Sequence, residues 1–172
     1  GTIAALTTSD VRSLALNRIA TLTTTDVRAL STSVVSAMLP SQVAAFSTSN
    51  VGALQTDQLR AIDRASIPGL ETQDVAVLKK EQIQALSTEQ VRALVTDQIR
   101  GLNSTTISYL TSAQVAALMP SQIEALNPVA AVGFTKDNAT GFVNTQAAKI
   151  GTAVLSRMTP DAIRAINPGA FS

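Results

Sequence analysis

Apolar residues recur along the chain in pairs three apart, and the pairs repeat every eight residues without an insertion. The first of each pair is Ile3, Val11, Ile19, Val27, Val35, Val43, Val51 and Leu59, continuing through Ile67, Val75, Ile83, Val91, Ile99, Ile107, Val115 and Ile123. The second is Leu from Leu6 to Leu126, with Met38, Phe46 and Ile62 the departures. Sixteen consecutive units in one frame mark a tandem repeat, which takes precedence over any other reading. Its cleanest copy is STEQVRAL, Ser87 to Leu94. A weaker continuation runs through Ala131 and Phe134, Ala139 and Phe142, Ala147 and Ile150, Leu155 and Met158, and Ile163 and Ile166.

A period of eight selects one local structure. A continuous α-helix turns about 100° per residue, so eight-residue steps would spread the apolar pair around its whole surface. In a strand, residues three apart point to opposite faces, and Ala, Gln and Asp are poor strand formers. A short helix places them on one face, as for Val91 and Leu94. The start signals agree. Ser87 with Gln90, Thr111 with Gln114, Thr23 with Asp26 and Ser47 with Asn50 have capping-box spacing, the last two as weaker versions. Pro40, Pro120, Pro128, Pro160 and Pro168 fall at the first helical position, where a missing N–H costs nothing. Pro68 falls inside its unit, which therefore reads as a broken turn.

Helices of about one and a half turns do not hold alone in water, so neighbouring units must stabilise one another by coiling into a solenoid. The expected fold is all-α: a single solenoid over residues 1–172 built from about 21 tandem eight-residue repeats of short helices. Octads are regular over 3–126, degenerate over 127–158 and terminal over 159–172. Small residues between the apolar pair, such as Ala29, Ala61, Ala93 and Ala125, suit close approach of successive turns. The number of units per turn stays open. Thr24, Thr48, Thr72 and Thr96 lie 24 apart and suggest three units; TDQLR at Thr56 and TDQIR at Thr96 lie 40 apart and suggest five per turn or per two turns.

Composition narrows the chemistry. There is no Cys, His or Trp, which removes disulfides, thiolate and imidazole metal ligands, and thiol or histidine catalysis. A net charge of +1 with 15% charged residues gives no electrostatic footprint for nucleic acid or an anionic membrane. No apolar run approaches the roughly 20 residues of a spanning helix, so no membrane insertion is expected. Arg12, Arg28, Arg60, Arg92, Arg100 and Arg164 share one frame position, but neighbouring Asp10, Asp26, Asp97 and Asp161 make a solvated, charge-balanced face the better reading. Asp137, Asn138 and Asn144 are oxygen ligands of a kind common in loops and lack a calcium-binding loop around them. No acid–base pair and no phosphate loop is marked, so the chain is expected not to be an enzyme, with no catalytic residue, cofactor or metal.

Octads of the TTDQVRAL form resemble the low-complexity tandem repeats of large bacterial secreted and surface proteins described as adhesin-like or haem-utilisation proteins. The resemblance covers nearly the whole chain and implies an extracellular or cell-surface setting. TPDAIRAI, Thr159 to Ile166, resembles the opening of the DNA-reading repeats of TAL effectors, but that family's longer period and base-reading loop are absent, and DNA binding is not carried over.

Solenoids generally close their ends with polar terminal repeats, and none stands out here: the frame begins at Ile3 and is still in phase at Phe171. The opening at Gly1, without Met or a charged-then-apolar leader, reads as a processed, excised or recombinant chain. The expected partner is a second copy, stacked head to tail into a structural fibre. Its contact residues are Ile3, Leu6, Ile166 and Phe171 at the ends, with Phe134 and Phe142 exposed in the degenerate units for lateral contact. The alternative is a binding module whose groove takes a surface protein or glycan. The phase of the repeat is directly testable: in denaturant unfolding, Leu94→Ala is expected to cost about 2 to 5 kcal/mol and Arg92→Ala to be near neutral. Equal losses would reject the assignment of inward and outward positions.

Overall fold

The computed structural model describes residues 2–166. They form eighteen short α-helices and three 3-10 helices in tandem, with no strand among the described residues. The octad is explained by its own backbone. In the unit Thr88–Ala93, six residues are helical, and the two that separate it from the next helix, Leu94 and Val95, are extended at φ −61°, ψ 128° and φ −80°, ψ 162°. Six helical residues plus two extended ones make the period of eight. The helix ends with the Leu94 N–H donating to the Val91 carbonyl at 3.2 Å, and the same bond joins the two apolar residues of unit after unit. No residue takes a positive φ among those described, so the turn between units needs no left-handed glycine.

The substantial helix-to-helix contacts join units three apart: Thr88–Ala93 packs on Ser112–Ala117, and Thr96–Gly101 on Thr72–Ala76. Longer connections shift the stagger. Side-chain hydrogen bonds to the backbone of an adjacent coil span 25 to 31 residues, most often 28 or 31. One turn therefore takes between three and four octads, and each unit sits across two units of the coil before it. Spacings of 24 and 40 in the sequence were competing hints; the first is near the shortest of these connections and the second matches none of them.

Both apolar positions point inward, and the core they form is continuous from Val11 to Ile166. Their roles differ. In the first coil, which has no coil before it among the described residues, the second position is only half-buried at Leu6, Leu14 and Leu22, becoming buried at Leu30. At the other end the first position opens, with Leu155 half-buried and Ile163 39% exposed, while Met158 and Ile166 stay buried. The second position thus packs toward the preceding coil and the first toward the following one.

Two expectations are corrected. The Pro68 unit is not broken: Arg64–Gly69 is a 3-10 helix that keeps Ile67 and Leu70 buried and ends in the usual Leu70 to Ile67 hydrogen bond, at 3.0 Å. Nor are Phe134 and Phe142 exposed lateral contacts. Each is 1% exposed, their ring centroids lie 5.0 Å apart, and they fill the volume left where the partner position shrinks to Ala131 and Ala139. The same units bring backbone against backbone. A Cβ on Gly133 would lie 2.0 Å from the Ser104 carbonyl oxygen, and one on Gly141 would lie 2.0 Å from that of Ser112. The stretch is therefore repacked, with large aromatic and minimal glycine positions offsetting each other.

Gly52 is the contrast, because a Cβ there meets nothing within 4 Å. Gly52→Ala, on the helix Thr48–Ala53, is expected to stabilise by about 0.5 to 1 kcal/mol through helix propensity and unfolded-state entropy. Gly133→Ala is expected to destabilise by about 1 to 3 kcal/mol through overpacking. Thermal or denaturant unfolding of the two variants checks the opposite signs.

Candidate functional site

A third inward position precedes each first apolar residue. It is the third residue of the helix, and from Gln42 onward it is a buried amide in most units: Gln42, Gln58, Gln82, Gln90, Gln98, Gln114, Gln122 and Gln146, with Asn50 and Asn138. Each glutamine amide faces two ways. Gln122 accepts at Oε1 from the Met119 N–H, the helix N-cap, at 2.7 Å. Its Nε2 donates to the Val91 and Leu94 carbonyls of the preceding coil, both at 2.8 Å. Gln58 does the same to Val27 and Leu30 at 2.8 and 2.7 Å, and Gln114 to Ile83 and Leu86 at 2.7 and 2.8 Å. One side chain therefore closes its own helix start and satisfies the end of a helix in the coil before. Because the amide serves the N-cap N–H, the cap side chain is free to vary, and Leu39, Val95, Met119 and Val143 occupy that position as exposed apolar residues.

Shorter side chains do part of this. Asn50 reaches only the Leu22 carbonyl and Asn138 only that of Ile107, each at 2.9 Å, while Ser66 reaches Met38 at 2.7 Å. Asp74 fits least well. Its Oδ2 accepts from the Glu71 N–H at 2.9 Å, but Oδ1 stands where an amide N–H₂ would be, has no partner, and is on a residue 1% exposed. The repeat spacing of 31 and 28 residues puts the carbonyls of Val43 and Phe46 on that side, so acceptor faces acceptor.

Ahead of Gln42 the amides are missing. The position holds Asp10, Arg18 and Asp26 in the first coil, all wholly or partly exposed. Asp10 and Asp26 complete capping boxes with Thr7 and Thr23: each Oδ2 accepts the threonine hydroxyl at 2.7 Å and its N–H at 2.8 or 2.9 Å. Asp26 is thus a full box rather than a weak one. These threonine hydroxyl bonds, then the backbone N–H bonds, hold both carboxyls below the usual carboxylate range. The boxes contribute stability that is complete above that range and lost as pH falls through the lowered values.

The first coil's open face is a recess of about 550 Å³ lined by Ile3, Leu6, Leu14 and Leu22, with Arg18 and Asp26 on it. Of the contact residues expected from sequence, Ile3 and Leu6 lie on this face, Ile166 is 2% exposed, and Phe171 lies outside the described residues. Leu14 and Leu22 line the recess as well, at the repeat positions equivalent to Leu6. The shared-frame arginines behave separately: Arg28 and Arg60 donate from Nε to the carbonyls of Ala53 and Ala85 at 3.3 and 3.2 Å, while Arg100 pairs with Asp97 at 2.6 Å. Asn138 is committed to the amide ladder rather than to an ion. Among the described residues there is no cluster of three metal-ligating side chains and no helix long and apolar enough to cross a membrane.

Residues 67–104 and 96–128 match the family model described as ALTTAQ repeat. The matches cover the stretch containing Gln82, Gln90, Gln98, Gln114 and Gln122, and they support a repeat protein on grounds independent of the octad count. No curated protein and no solved structure matches the chain.

Replacing Gln122 by Met keeps the volume and removes the amide, leaving the Met119 N–H and two carbonyls unpaired; a loss of about 2 to 5 kcal/mol is expected in denaturant unfolding. Asp74→Asn replaces the orphan oxygen with a donor and is expected to gain about 1 to 3 kcal/mol. No gain in that variant would mean that Oδ1 is already satisfied.

Proposed function

We propose that the protein is a structural element, a rod of stacked helical coils that associates end to end and forms or contributes to an extracellular or cell-surface fibre. The observation that carries this reading is the complementarity of the first and last described coils. Within the molecule, second-position apolar residues of one coil pack toward first-position residues of the coil before. The first coil leaves Leu6, Leu14 and Leu22 part-exposed, and the last described coil leaves Leu155 and Ile163 so. These two described coils expose the two halves of the interface that the rod repeats internally, and joining such unlike faces generates an open filament when no ring closes. The extracellular setting is supported by the resemblance of the octads to repeats of large secreted and surface bacterial proteins. No catalysis is assigned.

A second reading, a binding module for a surface protein or glycan, has a specific observation on its side. Val129 and Val132 lie three apart on the 3-10 helix Pro128–Gly133 and are 67% and 52% exposed. They form a small apolar spot on the flank, away from the coil-to-coil faces.

Light scattering and negative-stain microscopy of the purified chain separate the readings. End-to-end association is expected to grow with concentration, and Leu14→Asp or Ile163→Asp to abolish it while helical circular dichroism is retained. A chain that stays monomeric at high concentration rejects the fibre; Val129→Asp is expected to leave association unchanged.

A further inference from the structure

We propose that Asp74, together with the main-chain carbonyls of Val43 and Phe46, holds one alkali-metal cation between two coils. The site lies in the interior of the array and goes beyond the structural reading above, because it stands whether or not copies of the chain associate.

The position that Asp74 occupies carries an amide donor in most buried units. The Nε2 of Gln122 donates to two carbonyls of the preceding coil, 31 and 28 residues back, and the shorter Asn50 and Asn138 each donate to one of the equivalent pair. Asp74 keeps half of this arrangement, since its Oδ2 accepts the Glu71 N–H at 2.9 Å. Its Oδ1 is buried without a hydrogen-bond partner, on a residue 1% exposed. The carbonyls that the same spacing brings to that side belong to Val43 and Phe46, which are 0% and 5% exposed. The Val43 carbonyl has the Phe46 N–H at 3.1 Å, and no main-chain N–H among the described residues reaches that of Phe46. Three oxygens, one of them charged, thus converge where a glutamine unit places its N–H₂.

A water molecule has two hydrogens, so it leaves one of the three oxygens without a donor and leaves the charge in place. A single positive ion meets all three at once and neutralises the carboxylate, as a buried charge requires. Main-chain carbonyls replace the hydration shell of an alkali-metal ion. A divalent ion takes about six to eight oxygens, and calcium sites draw several of these from carboxylates. No second carboxylate is buried among the described residues. The surface beside the site favours the same sign. A recess of about 470 Å³ lined by Ala44, Glu71 and Asp97 adjoins it, with no Lys or Arg in its lining. Asp97 is paired with Arg100 at 2.6 Å, while Glu71 accepts from the neutral Gln73 amide at 2.5 Å. A cation therefore approaches through negative potential.

Denaturant unfolding of the whole chain at neutral pH tests the site, with choline chloride exchanged for sodium or potassium chloride at fixed ionic strength. One ion bound by the folded chain alone is expected to lower the unfolding constant about tenfold for each tenfold rise in the ion above its dissociation constant. Asp74→Asn supplies the N–H₂ found at Asn50 and Asn138 and is expected to ignore the ion. Its advantage over wild type is expected in full in choline and to shrink as sodium or potassium rises. In crystals grown with rubidium, anomalous scattering is expected beside Asp74 Oδ1 and not in the variant. Equal ion dependence in the two proteins, or none in wild type, overturns the site. Wild-type stability that ignores both ions but rises in acid relative to Asp74→Asn overturns it too, and assigns the place to a proton on Oδ1.

Discussion

A short helix exposes more unpaired backbone than a long one, and in most units from Gln42 onward a single side-chain amide offsets much of that cost. Four N–H groups at the start and four carbonyls at the end of any α-helix lack intrahelical partners. In a helix of six residues, such as Thr88–Ala93, those groups are nearly the whole backbone. Buried without partners they would cost far more than the apolar pair of one octad returns. Gln90 shows the resolution: Oε1 takes the Ser87 N–H at 3.0 Å and Nε2 gives to Leu59 and Ile62 at 3.0 and 2.8 Å. The hydrophobic contacts hold coils together without direction, and the amide fixes how far one coil is rotated against the next.

That division of labour explains what varies. Cap residues change freely between Ser, Lys and Val, because the amide three residues on serves the N-cap N–H in each case. The apolar pair trades volume between its members, as at Ala131 with Phe134, provided that the backbone spacing closes up, which Gly133 permits. Asp74 marks the limit of tolerance, since a carboxylate in the amide's place keeps the intra-unit bond and loses the one between coils.

Much of the fold was legible in the sequence, and the reason is the repeat. Period, short-helix content, inward phase and the role of Pro40 and Pro120 at helix starts all follow from local geometry that each octad states again. Relations between coils were not legible. The residue before each first apolar position reads as a capping partner when only its own helix is considered, and its burial depends on a chain segment 28 to 31 residues away. The drifted units misled for a related reason: shrinking Ala131 and Ala139 looks like decay until Phe134 and Phe142 are seen to fill the space from the other position. Ile3 and Leu6 were legible as apolar positions of the frame, and both line the recess at the first coil.

A turn that closes between three and four octads has no fixed column of units. Each octad rests across two units of the coil before it, whatever its place around the circumference. Deleting or duplicating whole octads keeps every later unit in the phase of the core, whereas a change that is not a multiple of eight residues breaks it, and a unit with a fitted seat, such as Gly133 against the Ser104 carbonyl, must keep its own partner. The length of such an array is therefore quantised, because the apolar frame accepts steps of eight residues and no others.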